Sequence, residues 1–135
     1  VRRAPGAVVV HPVRAAGWGV SLGQQRKVLF DALLYKKHPR LYRQRIRRAP
    51  RVDYYAAVGA LLAGVAGLAL DAPLVAAAAG ALWLALTLRF AVRRLAATQR
   101  AASHVGEMLV TSAAIPPLAV FWRVVGAARF RVVFL

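Results

Sequence analysis

The sequence predicts a mainly α-helical membrane chain. It has a short N-terminal strand, amphipathic juxtamembrane helices, a two-helix transmembrane hairpin, and a C-terminal helix that is interfacial or re-entrant. Two observations carry this reading. Hydrophobic residues make up 60% of the 135 residues, yet Lys and Arg outnumber Asp and Glu by 20 to 4. A soluble domain of this size does not combine such apolarity with a net charge of +16, so the two features must be segregated along the chain. They are. Basic residues crowd into 36–51, 89–100 and 123–131, while 54–70 and 72–88 form two uncharged runs of 17 residues with Asp71 between them.

The first element is Ala7-Val8-Val9-Val10, a β-branched run bounded by Gly6 and His11-Pro12. It reads as one strand of a sheet whose other strands lie elsewhere, since a lone strand is not stable. The chain opens at Val1 without an initiator methionine or a signal sequence, and we read this end as a cut. Residues 13–19 form a Gly- and Ala-containing connection around Trp18. Ser21-Leu22-Gly23-Gln24 matches a capping box, so a helix is expected from there to about His38. Its apolar side carries Val28, Leu29, Ala32, Leu33 and Tyr35. Pro39 ends that helix and can open the next. The second helix, Arg40 to Arg48, sets Leu41, Tyr42 and Ile46 among five arginines, which suits the surface of an anionic leaflet.

Each uncharged run spans roughly 25 Å as a helix, at the short end for a bilayer core. Both are apolar all round, which disfavours a soluble helical hairpin. Asp71 is placed to cap the second helix, and Pro73 falls in its first turn. Gly59, Ala63 and Gly67 recur every four residues, as do Ala72, Ala76 and Gly80, and small residues at that spacing let helices approach in lipid. Basic residues flank the hairpin on both sides and only Asp71 lies in its loop, so both ends are expected to face the cytoplasm. Segment 105–125 is apolar, but Glu107 sits near one end and Pro116-Pro117 interrupts its middle. An interfacial or re-entrant course is expected, with Phe121 and Trp122 at headgroup depth. The alternating residues 129–135 are then free to lie against a cytoplasmic domain.

The absence of cysteine excludes disulfides, zinc fingers and thiol nucleophiles. The acids are Asp31, Asp53, Asp71 and Glu107, none beside another, so no paired-carboxylate site is built here. No Gly-rich phosphate loop or serine nucleophile elbow occurs. A charge of +16 also raises nucleic-acid binding, but an uninterrupted apolar hairpin has no place in such a module.

The order of features resembles the C-terminal region of membrane-bound family 2 glycosyltransferases. The likeness rests on Val9-Val10-His11-Pro12, the Trp18 turn, Gln24-Gln25-Arg26-Lys27, Leu33-Leu34-Tyr35-Lys36-Lys37-His38-Pro39, the basic stretch and the hairpin. It implies four parts: the tail of a GT-A domain (1–20), basic interface helices (21–53), the transmembrane hairpin (54–88), and a basic cytoplasmic segment with the interfacial or re-entrant helix (89–135). It implies that His11 contributes to a divalent metal, Mg or Mn, held mainly by an upstream domain that carries the catalytic carboxylates. It also implies that Arg14, Gln25, Arg26, Lys36 and Lys37 meet donor or acceptor phosphates. For Gln24, helix capping is an equal explanation, and Lys27 stands where processive relatives have Trp. Arg40, Arg43, Arg47, Arg48 and Trp122 are expected at the membrane surface. The implied partners are a nucleotide-sugar donor, a lipid or glycan acceptor and membrane lipids, with no nucleic acid. The implied location is the cytoplasmic membrane, multi-pass. These residues alone are expected to be inactive. The rival expectation is a small non-enzymatic membrane hairpin or adaptor protein.

Overall fold

The structure, a computed structural model, describes residues 17–96, 98 and 101–133. The expected strand at 7–10, His11 and Arg14 lie outside them. The described residues are helical, with no strand among them: α1 (Val20–Gly23), a 3₁₀ segment (Gln24–Val28), α2 (Leu29–Lys37), α3 (Pro39–Arg45), α4 (Val52–Ala69), α5 (Pro73–Leu95) and α6 (Ala102–Phe130). Three of them, α4, α5 and α6, are long and apolar enough to cross a membrane, so the chain is a multi-pass membrane protein by length and composition.

The capping box at Ser21 does not form. Ser21 lies inside α1, whose N-cap is Gly19 at φ 73, a left-handed backbone that glycine adopts without cost. The Gly19 N–H donates instead to Glu107 Oε1 at 2.9 Å. A carboxylate from 88 residues away thus takes the N-cap N–H, the part that the Gln24 side chain would play in a capping box. Pro39 opens α3 as expected, but that helix ends at Arg45 rather than Arg48. Of its apolar residues only Tyr42 turns inward, meeting Tyr35 edge-on with ring centroids 5.8 Å apart. Leu41 and Ile46 are exposed.

In the hairpin, Asp71 does not cap α5. It takes the left-handed position (φ 49) that ends α4, and the following Ala72 N–H donates to Gly67 O at 2.8 Å. That six-to-one bond closes a Schellman turn, and a short polar side chain tolerates the left-handed position there. The small residues on α4 also differ from expectation. Gly59 and Ala63 face outward, while Ala57, Ala60, Gly64 and Gly67 line the seam with α5. Their three-four-three spacing follows a coiled-coil stripe rather than the every-fourth-residue ladder. Contact is closest at Gly67, where a Cβ would lie 2.7 Å from Ala76 N. Ala76 thus belongs to the seam as expected.

Helix α6 is continuous through Pro116 and Pro117, so the expected break is absent. Two prolines remove two intrahelical bonds, and here the helix is held from outside. It packs alongside α2, with Gly126 against the Leu29 backbone and Ala32. It also crosses both arms of the hairpin over shorter stretches than those arms share with each other. Buried residues make up 39% of its most apolar window, against 17% for α4 and 11% for α5. The hairpin's leucines and valines, such as Leu62, Leu68, Leu74 and Leu82, are open. Phe130 and Val132 pack on Ala32 and Tyr42, so the tail lies against this chain's own interface helices.

Gly67→Leu should drive α4 and α5 apart, a loss of about 1–3 kcal/mol typical of overpacking. Thermal unfolding of the detergent-solubilised chain should show it, whereas Gly59→Leu should leave the midpoint in place. Equal losses in both would put the seam elsewhere.

Candidate functional site

Where the charged flanks of the hairpin meet α6, the chain forms a cationic base with two adjoining cavities. Arg51 precedes α4 and pairs bidentately with Asp53, at 3.0 Å from Nε and 2.9 Å from Nη2. Its guanidinium lies 3.9 Å from the centroid of the Tyr54 ring. Tyr54 in turn meets Phe90 of α5 edge-on at 5.4 Å. The Asp53 hydrogen bond raises the Arg51 pKa further, with burial opposing it, so this cation is fixed at any working pH.

Arg51 and Tyr54 form the wall between the cavities. One, about 170 Å³, is lined also by Asp53 and by Thr87, Arg89, Phe90, Arg93, Arg94 and Pro116. The other, about 90 Å³, is lined by Gln25, Val28, Arg47, Tyr55, Ala119, Val120 and Arg123. One residue lining each carries a buried hydroxyl without a hydrogen-bond partner, Thr87 Oγ1 at the first and Tyr55 Oη at the second. The arginines give both cavities a cationic lining, with Arg51 already committed to Asp53.

Arg94 ties the base to α6. Its Nη1 donates to Thr111 Oγ1 at 2.7 Å, Ser112 Oγ at 2.9 Å and Met108 O at 3.4 Å. Thr111 Oγ1 in turn donates a hydrogen bond to Glu107 O at 2.6 Å. Thr111 and Ser112 are fully buried, so a cation from α5 occupies the polar stripe of α6. Glu107, one turn earlier, holds Gly19 and stands 3.8 Å from His104 Nδ1. The beginning of the chain's interface helices and the end of the hairpin therefore converge on one face of α6.

The residues expected at phosphates are dispersed by the structure. Gln25 lines the smaller cavity, although its Nε2 donates to Ser21 O at 2.8 Å. Arg26 lies over the Trp122 ring at 5.7 Å, and Lys36 Nζ donates to Phe130 O at 2.7 Å, capping α6. Lys37 is exposed. Among the expected surface residues, Arg40 and Arg48 are exposed, and Arg43 stacks on Tyr35 at 4.9 Å. Arg47 turns into the smaller cavity. The sequence reading passed over Arg51, Tyr54, Tyr55, Arg94 and Arg123 as site residues. Arg123 gave the clearest signal, because an arginine inside an apolar run is costly unless it serves a polar interior. Among the described residues no group of three or more His, Cys, Asp or Glu could hold a metal ion. They therefore supply no metal cage.

Behind this base, Tyr42 Oη donates to Asp31 Oδ2 at 3.3 Å. Burial first, then the Asp31 carboxylate, push the phenol above its usual pKa, while Arg47 and Arg123 offset part of the rise. The neutral phenol is thus favoured in the fold. Its contribution is complete below about pH 10, the unfolded value, and is lost as pH climbs through the folded value. Above about pH 10 the unfolding midpoint should fall more steeply for the unmodified chain than for Tyr42→Phe. Matching slopes would refute the assignment.

Arg94→Met should loosen α6 from the hairpin at a cost of about 2 kcal/mol, the scale of a charge-assisted hydrogen bond. Hydrogen exchange over 102–115 should rise, and no change there would mean that α6 is held by other contacts. Comparison with protein-family models, with curated proteins and with solved structures finds no match to this chain.

Proposed function

We propose that this chain is the membrane-anchoring, acceptor-side part of a family 2 glycosyltransferase. Such an enzyme moves a sugar from a nucleotide-sugar donor to a lipid-linked or glycan acceptor at the cytoplasmic face of the cell membrane. The ordered motifs from Val9 to Pro39 support the family, and the hairpin that follows supports the membrane-bound branch. One structural observation supports the anchoring role above all. The interface helices α1–α3, the base of the hairpin and α6 pack into one unit rather than trailing as separate segments.

In this reading α4 and α5 cross the bilayer with both ends on the cytoplasmic side, where their arginine flanks face anionic lipid. Helix α6 lies across the base of the hairpin at the interface. Its buried polar stripe of Thr111, Ser112 and Arg123 then meets protein and headgroups instead of lipid tails. The interface helices hold a preceding catalytic domain at a fixed height above the membrane. A fixed height brings an acceptor and a nucleotide-sugar donor together without an entropic search. The divalent metal of such enzymes would be held mainly by that preceding domain, with His11 as the contribution of this chain. A metal supplies charge stabilisation on the departing diphosphate.

The test uses the intact protein in membranes. Sugar transfer from nucleotide-sugar donors to endogenous lipid should require Mg or Mn and stop with a chelator. His11→Ala should lower transfer by about tenfold or more, the scale of losing a metal ligand's support, without changing membrane insertion. Transfer that is absent with every donor in membranes containing the intact protein would sink the enzyme reading. It would leave the rival in which the hairpin is a non-enzymatic adaptor.

A further inference from the structure

The membrane-facing side of the hairpin carries a groove to which the family resemblance gives no role. It is open, about 460 Å³, and runs between the arms, walled by Leu61, Val65 and Leu68 of α4 and by Ala77, Gly80 and Trp83 of α5. The space exists partly because α5 lacks a side chain there: a Cβ built at Gly80 would meet nothing within 4 Å. The lower end of the groove, at Leu61 and Trp83, stands one helical turn from Ala57 and Thr87, which line the larger basal cavity. Groove and cavity follow one stripe on each arm. On α4 the stripe passes Tyr54, Ala57, Leu61, Gly64 and Leu68, and on α5 Ala76, Gly80, Trp83, Thr87 and Phe90, at alternating steps of three and four residues.

The foot of this stripe is cationic. Arg89 and Arg93 line the basal cavity one turn apart on α5, and both are exposed. Neither has a hydrogen bond or ion pair among the described residues. The other charges of that cavity are committed: Asp53 is neutralised by Arg51, and Arg94 donates to Thr111 and Ser112. Arg89 follows directly on the uncharged run 72–88. These two guanidinium groups therefore stand at headgroup height, while the groove above them lies at the depth of lipid tails. An apolar channel that ends on two open cations is complementary to a lipid in which a chain and a negative head are joined. A second copy of the chain fits less well, because it would bring its own arginines to the same level and like charges repel.

We propose that the hairpin groove binds an anionic phospholipid of the bilayer. One acyl chain lies along Trp83, Gly80 and Leu61, and the phosphate head meets Arg89 and Arg93. The assignment holds whether or not the chain takes part in sugar transfer.

Trp83 reports on the groove. In the full chain carrying Trp18→Phe and Trp122→Phe it is the one tryptophan left, and lipids with brominated chains quench its fluorescence on contact. The chain is placed in phosphatidylcholine bilayers, and brominated phosphatidylglycerol or brominated phosphatidylcholine is added in small, equal fractions. Phosphatidylglycerol should quench at a fraction about twentyfold lower, the combined value of two basic residues at an anionic leaflet. Arg89→Gln and Arg93→Gln should each reduce that preference about fivefold. Arg45→Gln removes an exposed charge that does not line the cavity and should leave the preference unchanged. Gly80→Leu projects into the groove and should bring the two lipids to parity, whereas Gly59→Leu, on the outward face, should not. Without the tryptophan changes, native mass spectrometry should find one phosphatidylglycerol retained by the purified chain and none by Gly80→Leu. Equal quenching by the two lipids overturns the proposal, as does retention of no lipid by the unmodified chain. A preference that survives both arginine changes, or that falls as far with Arg45→Gln, also overturns it. A preference kept by Gly80→Leu removes the chain from the groove and sinks the assignment. Absence of quenching by either lipid, with the chain crosslinking as a dimer, gives the groove to a second copy and overturns the lipid site.

Discussion

The apolar surface of α4 and α5 sets the level of everything else in the molecule. Between Ala60 and Thr87 the hairpin buries little beyond Gly67 and turns leucine, valine and alanine outward on every side. In water such a surface would have to be covered; in a bilayer it is already matched by its solvent. Lipid tails give two helices no reason to associate through the hydrophobic effect. The arms are therefore held by close backbone approach, with Gly67 against Ala76 as the tightest point. Once this pair is placed in the membrane, its flanks are placed at the interface, and the remaining helices have to assemble there.

That assembly is polar as much as apolar. Arg94 reaches from the end of α5 into the Thr111–Ser112 stripe of α6, and Glu107 of α6 holds the first turn of the interface helices at Gly19. Both are charge-assisted bonds between segments far apart in sequence. They are stronger in a partly dry setting than on an open surface. They explain how a helix containing two consecutive prolines stays in place. The bonds removed by Pro116 and Pro117 are a local loss, while α6 is fixed by its neighbours over the rest of its length. Lys36 completes the arrangement by capping the end of α6 at Phe130.

Pairing also redistributes the positive charge. A large excess of arginine on a short chain suggests one diffuse cationic surface, but the fold sorts its members. Some stack on rings, as Arg26 does on Trp122 and Arg43 on Tyr35. Some stay exposed to face headgroups, as Arg40 and Arg48 do. Arg47, Arg51 and Arg123 turn into a confined cavity, where charge acts over short distances with little screening.

Much of the architecture was legible in the sequence because it depends on local composition. The two uncharged runs, the proline starts of α3 and α5, the interface helices and the inward face with Leu29 and Ala32 all follow from short-range pattern. Ser21, Asp71, Gly59 and Pro116 show where that pattern ran out. Each carries a local signal for a cap, a seam or a break, and each was overruled by a contact or turn that spacing does not encode. The candidate site was least legible, since Gln25, Arg51 and Arg123 meet only through the crossing of α6 over the base of the hairpin. The sequence by itself determined that the chain enters a membrane and where its charge lies, because transfer into lipid depends on composition over a helix length. Only the tertiary structure decided which arginines converge, because convergence depends on how separate helices pack, and no single segment records that.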